Sequence, residues 1–172
     1  ASKGFYHRPI QAMSREEFRE DVIQTREAIE RALRRRVLGH RVAQGTLGCD
    51  DLWALDVLAE EGFAYDSSIY PRMRSIAREP FRRFPHAHRH PGGVLWEVPL
   101  SSIDAFGLHV PVAGGNYFRQ FPHALMHRVF RHWDRSYDAP FNMYFHVWEL
   151  DPDLPRISAA GPITRVRQYR NI

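Results

Sequence analysis

The sequence has little cysteine, no long apolar run and no repeat. Cys49 is the only cysteine among 172 residues, so a disulfide within the chain is impossible and nothing ties the protein to an oxidising compartment. No hydrophobic stretch is long enough to span a bilayer. Internal repeats and low-complexity segments are also absent. We therefore expect a cytoplasmic globular protein without a membrane span.

The sequence also lacks the pattern of a nucleic-acid platform. The net charge is +4, and the arginines are scattered apart from short clusters at 34–36 and 165–167. Aromatic residues do not alternate with the basic residues, as a nucleic-acid platform requires. An anionic polymer or surface is one alternative partner, but a solvated basic face is the preferred interpretation. We expect no nucleic-acid partner.

The chain does contain an alternation of helix-like and strand-like segments. Ser14 and Glu17 form a capping box, which predicts the start of a helix over about 15–35. One face of this helix is apolar and is expected to point inward. That face comprises Phe18, Val22, Thr25, Ile29 and Leu33. Further helices are predicted at about 51–61 and 122–134.

The remaining segments are predicted to be short strands and connections. Strands are expected at 37–41, 63–65, 94–100 and 141–145. Residues 70–93 contain four prolines before a Gly-Gly turn and are predicted to be irregular. Gly114-Gly115 is predicted to be a turn, and the polar tail over about 151–172 is predicted to be extended.

The order of these segments is typical of a parallel α/β fold. A chain of 172 residues fits one domain. It has too few strand–helix units for a complete (β/α) barrel, which usually needs about 250 residues. The predicted fold class is therefore α/β, either a shortened relative or a piece of a (β/α) barrel.

Three polar residues follow or end predicted strands. Catalytic groups of (β/α) barrels lie at such C-terminal strand ends. There His146 could donate a proton to a leaving amine, Arg41 could hold a carboxylate by a two-pronged hydrogen bond, and Asp66 could orient a histidine. Taken singly, His146 and Arg41 are better explained as a buried, satisfied histidine and a surface salt bridge, and Asp66 could instead cap a turn. Their occurrence at successive strand ends favours a shared site.

A second group of candidates is the alternating series His86, His88 and His90. Alternate histidines on an extended segment could bind a transition metal. Arg89 between them argues against that interpretation, so an unrelated histidine-rich metal-binding protein is the weakest hypothesis. Gly114-Gly115 is too short for a phosphate-binding loop.

Several motifs follow one another along nearly the whole chain. They occupy residues 2–7, 39–41, 52–58, 62–71, 111–119 and 144–152. The Tyr-Asp-Ser-Ser and His-x-Trp-Glu-x-Asp-Pro motifs are fairly specific in combination. In this order the motifs resemble those of polysaccharide deacetylases of carbohydrate esterase family four, most closely the subgroup beside PEP-CTERM/exosortase exopolysaccharide loci. The chain, residues 1–172, resembles the C-terminal portion of that domain.

This resemblance implies a distorted (β/α) barrel that hydrolyses N-acetyl groups of an exopolysaccharide or its precursor. The family uses a divalent, zinc-like metal held by an aspartate and two histidines, which activates water. By position, His7 would be the second metal histidine, Arg41 would orient the catalytic base and His146 would be the acid. Asp66 is a further candidate catalytic residue, and Trp148 and Tyr117 are candidate substrate-binding residues.

The chain departs from the family pattern at several positions. Lys3 stands where the family has its first metal histidine, and a protonated lysine has no lone pair for a metal. Ala43 and Val147 replace prolines, and Asn116 replaces a glycine. The segment with both catalytic aspartates would precede Ala1.

Two functional hypotheses follow from these departures. The chain is either the rear part of a deacetylase or a catalytically inactive carbohydrate-binding pseudoenzyme. In both cases we expect that the chain alone is inactive and binds no metal through Lys3 and His7. We also expect it to bind a polysaccharide or oligosaccharide and to associate with an N-terminal half or with itself.

Overall fold

The structure, a computed structural model, describes residues 1–72, 76, 78–155 and 161–169, without the side chains of 167 and 168. The helices are α1 (Arg15–Leu33), α2 (Trp53–Glu60), α3 (Gly115–Gln120), α4 (His123–Ser136) and α5 (Pro162–Tyr169). The strands are β1 (Gly39–His40), β2 (Tyr65–Asp66), β3 (His86–His90), β4 (Gly93–Glu97), β5 (Ser102–Ala105) and β6 (Leu108–Pro111). Short 3₁₀ turns occupy Ile10–Ala12, Pro80–Arg83 and Val147–Leu150.

Helix α1 begins at the predicted capping box. The Ser14 hydroxyl accepts a hydrogen bond from the Glu17 backbone N–H at 3.2 Å, and the Glu17 carboxylate accepts one from the Ser14 N–H at 2.8 Å. Phe18 and Val22 are buried as expected. Leu33 is 66% exposed, so its predicted inward position is wrong. The reason is that the helix ends there, and the next residue adopts a left-handed conformation with φ of 52°.

Four strands form one mixed sheet in the order β1-β2-β4-β3. The first three are parallel, and β3 pairs antiparallel with β4. Parallel pairing aligns His40, Asp66 and Glu97 across the three strand ends. The α/β class is thus confirmed, whereas the described strands form an open sheet and no closed barrel.

Helices α1 and α2 pack together over the sheet, and α2 contacts β3 and β4. The core between these elements includes Phe18, Leu55, Leu58, Phe63 and Leu95. Burial of such side chains is the main stabilising contribution to the fold. Among the described residues, no helix is both long and apolar enough to cross a membrane.

Four predicted segments are wrong in part. Residues 86–90, predicted to be irregular, form β3, because they pair with β4 across the Gly92-Gly93 turn. Gly114-Gly115 begins α3 instead of forming a turn. Residues 141–145 make one bridge, between Tyr144 and Gly114, and no strand. Within the predicted extended tail, residues 162–169 are helical; residues 156–160 and 170–172 lie outside the described part.

Candidate functional site

Three polar side chains converge on the ring of Tyr144. The Lys3 Nζ lies 3.4 Å from the Tyr144 hydroxyl oxygen, which in turn lies 3.2 Å from His146 Nδ1. The Arg41 guanidinium carbon is 4.3 Å from the centre of the same ring. His146 also stacks on Trp148, with ring centres 5.3 Å apart and planes 16° apart. These five residues, Lys3, Arg41, Tyr144, His146 and Trp148, are called the Tyr144 site.

A buried carboxylate of α1 positions the loop that carries Lys3. Asp21 accepts hydrogen bonds from the backbone N–H groups of Phe5 at 3.0 Å and Tyr6 at 2.9 Å. Gly4 adopts φ of 74°, a conformation that disfavours other residues, and a Cβ there would lie 3.0 Å from the Asp21 carboxylate. Asp21 thus fixes the loop that holds Lys3.

The backbone beside Lys3 continues the sheet. The Ser2 N–H donates to the Gly39 carbonyl at 2.8 Å, and the Ser2 carbonyl accepts from the Arg41 N–H at 3.0 Å. This one-residue parallel bridge places Lys3 next to the end of β1, where Arg41 follows. The two cations therefore approach Tyr144 from adjacent backbone segments.

His146 is held through its backbone by a buried ion pair. The Glu149 carboxylate accepts the His146 N–H at 2.8 Å and an Arg119 Nη2–H at 3.0 Å. Both members of the Arg119–Glu149 pair are buried. A Cβ on Gly115 would lie 2.2 Å from a Glu149 oxygen, so glycine is required there. His146 therefore precedes a 3₁₀ turn, and its predicted position at a strand end is wrong.

The two candidate substrate-binding aromatics occupy different surroundings. Trp148 supports the His146 ring and also lies 5.4 Å from the Arg119 guanidinium carbon. The Tyr117 ring packs against Phe121, with ring centres 5.8 Å apart. Trp148 thus belongs to the Tyr144 site, whereas the contacts of Tyr117 are with other residues.

Asp66 lies below the surface in a second polar cluster. Its carboxylate contacts His40 Nδ1 at 2.9 Å and accepts hydrogen bonds from the Ser68 N–H at 2.8 Å and the Ser68 hydroxyl at 2.9 Å. Glu97, at the end of β4, pairs with Asp66 in the sheet register and accepts a hydrogen bond from the Ile69 N–H at 3.0 Å. We call His40, Asp66, Ser68 and Glu97 the buried acidic network.

The two carboxyl groups of this network have opposite pKa shifts. Burial tends to raise the pKa of Asp66, but hydrogen bonds from His40 and Ser68, together with the attraction of His40, outweigh it and the net shift is downward. Burial and the adjacent Asp66 carboxylate raise the pKa of Glu97 well above its usual value. Asp66 therefore ionises more readily than Glu97 in the folded chain.

Burial also shifts the pKa values of Arg41, which contacts the Tyr144 ring, and of Tyr70. Desolvation lowers the pKa of Arg41, although Tyr144, Asp66 and Glu97 act in the opposite direction. Burial likewise raises the pKa of Tyr70. Arg41 is thus a half-buried, partly desolvated cation.

The side chain and the carbonyl of His7 both contact Gln44. His7 has a left-handed backbone, with φ of 54°, and the Gln44 side-chain amide lies 3.2 Å from its Nδ1 and donates to its carbonyl at 2.8 Å. The described residues contain no group of three histidine, cysteine, aspartate or glutamate side chains that could hold a metal. With an ammonium at Lys3, the residues present do not fit a divalent metal.

The alternating histidines of β3 are each bonded to a neighbour. His86 contacts the Phe84 carbonyl at 2.8 Å through Nδ1, His88 contacts Asp56 at 2.7 Å, and His90 lies 3.4 Å from Glu60. The last two partners belong to α2. The series thus attaches β3 to α2 through His88 and His90.

Sequence reasoning missed Tyr144, Glu149 and Glu97 as parts of the two clusters. Tyr144 and Glu149 lie within the motif at 144–152, so their place in that motif was a usable signal. Glu97 was a single acid in an apolar strand, where a buried carboxyl group needs a partner. Asp21 carried a similar signal, since it lies on the inner face of α1.

Comparisons with known proteins agree with the resemblance drawn from the motifs. A family model described as domain of unknown function DUF3473 matches residues 67–172. No curated protein matches the chain. A solved structure, a putative polysaccharide deacetylase from Mycobacterium smegmatis, is 24% identical with a TM-score of 0.44, and the match covers 58% of this chain and 30% of that one. The chain belongs to the DUF3473 family, a domain associated with polysaccharide deacetylases.

Proposed function

We propose that this chain contributes to polysaccharide deacetylation by binding an N-acetylated sugar at the Tyr144 site, with His146 as the proton donor. The family membership supports the reaction class. The observation that carries the proposal is the contact of Lys3, Arg41 and His146 with one tyrosine ring. The proposed substrate is an exopolysaccharide or its precursor.

The chemistry requires a proton donor beside the leaving nitrogen. Water adds to the acetyl carbon, the C–N bond breaks, the nitrogen takes a proton, and acetate leaves. An amine leaves readily only when it is protonated, and histidine is suited to that transfer near neutral pH. The Tyr144 hydroxyl contacts His146 Nδ1, which leaves Nε2 of this exposed imidazole for the transfer.

Asp66 has an indirect role in this proposal. Its oxygens are engaged by His40 and Ser68 inside the fold. It therefore acts as a positioning residue, which fixes the strand ends and thereby the backbone that carries Arg41. Trp148 similarly positions the His146 ring and offers its free edge to the sugar.

A second candidate function is carbohydrate binding without catalysis. It is favoured by the Lys3 ammonium, which contacts the Tyr144 hydroxyl where the resemblance implies a metal ligand. In this version the chain holds the sugar, and hydrolysis belongs to the whole protein or has been lost. Both candidate functions predict sugar binding at the Tyr144 site. Only the first assigns the site a part in hydrolysis of the acetyl group.

Binding and turnover are measured separately. The chain is purified with added zinc, its metal content is measured, and its binding of chitin tetrasaccharide is followed by calorimetry alongside acetate release. We expect binding without stoichiometric zinc and without acetate. Trp148→Ala should weaken binding about tenfold, equivalent to about 1.4 kcal/mol, because the His146 ring loses its support.

A matched control is His132→Ala, which removes an exposed imidazole of α4 whose contacts are with Ser136 and Tyr137. This variant should bind like the unaltered chain. Absence of binding, or binding that is indifferent to Trp148→Ala, refutes the sugar site. Zinc bound through His7, with acetate release lost in His146→Ala, refutes the non-catalytic candidate.

A further inference from the structure

The hairpin of β5 and β6 carries a phenylalanine at its tip in an unfavourable conformation. Phe106 has a φ of 53°, in the left-handed region, and Gly107, the second residue of the turn, has a φ of 71°. A two-residue hairpin turn with two positive φ values favours Asn-Gly, and a bulky residue in the left-handed region is rare. Asparagine or glycine at position 106 would therefore suit the turn better than phenylalanine.

The Phe106 ring does not compensate for this conformation by packing. It is fully exposed to solvent, so it contributes no free energy from burial of apolar surface. Unfavourable backbone conformations are kept mainly at functional sites, where the side chain serves something other than stability. An exposed aromatic ring on such a backbone therefore points to a ligand.

The carboxylate nearest to Phe106 along the chain is already fixed in place. Asp104 accepts hydrogen bonds from Arg83 and, at 3.0 Å, from the Tyr137 hydroxyl, and it contacts His109 Nδ1 at 3.0 Å. Burial tends to raise the pKa of Asp104, but the hydrogen bonds from Arg83 and Tyr137 outweigh it and the net shift is downward. The Asp104 side chain is 52% exposed. It is thus an ionised, preorganised acceptor that a ligand can reach.

An open cleft of about 420 Å³ adjoins this carboxylate. Its lining includes Phe84, Tyr137, Asp104 and Asp138. Two residues of chain separate Asp104 from Phe106, which limits the distance between their backbones to about 7 Å. The cleft thus adds aromatic rings and acidic acceptors close to the exposed ring, as sites for small polar ligands do.

A sugar ring fits these features better than a protein or a membrane does. The core of a protein interface is depleted of charged residues, whereas Asp104 and Asp138 line the adjoining cleft. The same acids oppose an anionic lipid surface. A sugar has an apolar ring face that can stack on Phe106 and hydroxyl groups that can donate to carboxylates.

We propose that the tip of the β5–β6 hairpin and the adjoining cleft form a second sugar subsite, which holds the polysaccharide chain outside the Tyr144 site. This inference rests on the proposed function and extends its substrate contacts. Strand β6 leads to Gly114, which bridges to Tyr144, so the base of the hairpin adjoins the Tyr144 site. Eight residues separate Phe106 from Gly114, at most about 30 Å. A polymer can therefore contact both places and gains affinity from the second.

Phe106→Asn separates binding from folding, because it removes the ring and supplies the Asn-Gly turn that the backbone favours. The probes are chitin tetrasaccharide and glycol chitin, a soluble N-acetylated polymer, and calorimetry measures both. The variant should bind glycol chitin about threefold to tenfold more weakly, as expected for one lost aromatic contact. Its affinity for the tetrasaccharide at the Tyr144 site should be unchanged, and its Tm should be equal or higher.

Two further variants and one label assign the effect to the ring. Phe106→Trp keeps an aromatic face and should bind glycol chitin within about twofold of the unaltered chain. Ile163→Ala removes an exposed apolar side chain of α5 and should have no effect. The chain is also labelled with 4-fluorophenylalanine; the ¹⁹F signal that is missing in Phe106→Asn belongs to Phe106, and it should shift or broaden with glycol chitin.

The outcomes separate this inference from the proposed function. Equal binding of glycol chitin by Phe106→Asn and the unaltered chain overturns the inference, and the Tyr144 site stands as long as Trp148→Ala weakens tetrasaccharide binding. If the unaltered chain binds neither probe, both proposals fail. A lower Tm in Phe106→Asn assigns the ring to the fold, and an equal loss of binding in Ile163→Ala shows a non-specific apolar effect; each overturns the inference. Loss of self-association in Phe106→Asn, seen by light scattering with sugar binding unchanged, assigns the ring to an interface between copies and does the same.

Discussion

Two polar clusters lie at the same edge of the sheet but differ in how their charges are satisfied. In the buried acidic network, both carboxylate oxygens of Asp66 are engaged, Oδ1 by His40 and the Ser68 hydroxyl and Oδ2 by the Ser68 N–H. In the Tyr144 site, Lys3 and Arg41 meet an aromatic ring and no carboxylate of the described residues. The charge of the buried acidic network is satisfied within the fold, whereas the charges of the Tyr144 site need a partner from outside the described residues.

We therefore assign the two clusters different roles: structural support to the buried acidic network and ligand recognition to the Tyr144 site. A fully satisfied buried network rigidifies the strand ends but presents nothing to a ligand. Charges without partners cost stability, which proteins tolerate at functional sites. We therefore expect substitutions in the buried acidic network to act mainly on the free energy of unfolding. Those in the Tyr144 site should act mainly on binding.

The largest effect is expected from Asp66→Ala. Removing the carboxylate leaves His40, Ser68 and Glu97 buried without their common partner. Breaking one member of such a cluster should lower the free energy of unfolding by about 3–5 kcal/mol. Urea denaturation measures this change. Asp50→Ala is the control, since its ion pair with Arg78 is largely exposed, and it should cost less than about 1 kcal/mol. Similar losses in both variants would contradict the proposed importance of the network.

The next largest loss of stability is expected from a substitution beside Glu149, whose carboxylate holds the His146 backbone. Gly115→Ala places a methyl group 2.2 Å from the Glu149 carboxylate, which is held by Arg119 and the His146 N–H. Overpacking should cost about 1–3 kcal/mol. Gly39→Ala gives an equally close contact, with the Tyr65 ring, but Tyr65 is 40% exposed and can rotate away. We therefore expect the smaller loss for Gly39→Ala in parallel urea titrations. The reverse order would mean that the Glu149 attachment is not rigid.

The sequence predicts local elements of this fold better than it predicts long-range pairing. The capping box at Ser14 and the periodicity of α1 depend on neighbouring residues, and both were correct. Strand β3 was not predicted, because its histidines become a strand only through pairing with β4 and through His88 and His90 reaching α2. Residues 141–145 are apolar like a strand but pair at one position.

In the candidate site, too, the sequence predicted individual residues better than the long-range contacts between them. Arg41 and His146 were predicted from strand ends and motifs, and the structure brings both to Tyr144. Asp66 was grouped with them, but strand pleating points it into the fold beside His40 and Glu97. Tyr144 itself was missed, because a tyrosine acquires this role only from cations that arrive over long sequence distances.

A pH dependence further tests the buried acidic network. The pKa of Glu97 is raised in the folded chain, so the folded state holds a proton that the unfolded state releases above its usual pKa, near 4.5. Stability should therefore fall as pH rises above about 4.5 and until the raised pKa of the folded state is passed, at up to about 1.4 kcal/mol per pH unit. Glu97→Gln retains a donor to Asp66 and does not titrate, so its free energy of unfolding should be flatter over this range. Parallel slopes in urea titrations would refute a protonated Glu97.

The smallest effect is expected from Tyr144→Phe. This substitution keeps the ring beside Arg41 but removes the hydroxyl that contacts Lys3 and His146. Because both hydrogen bonds are partly exposed, the free energy of unfolding should change by less than about 1 kcal/mol. Tyr144→Ala should lose roughly 1 kcal/mol more, since it also removes the cation–π contact. Urea denaturation compares the variants, with Tyr6→Phe as the control because Tyr6 is 58% exposed. A loss of several kcal/mol in Tyr144→Phe would place Tyr144 with the structural cluster and remove the contrast between the two clusters.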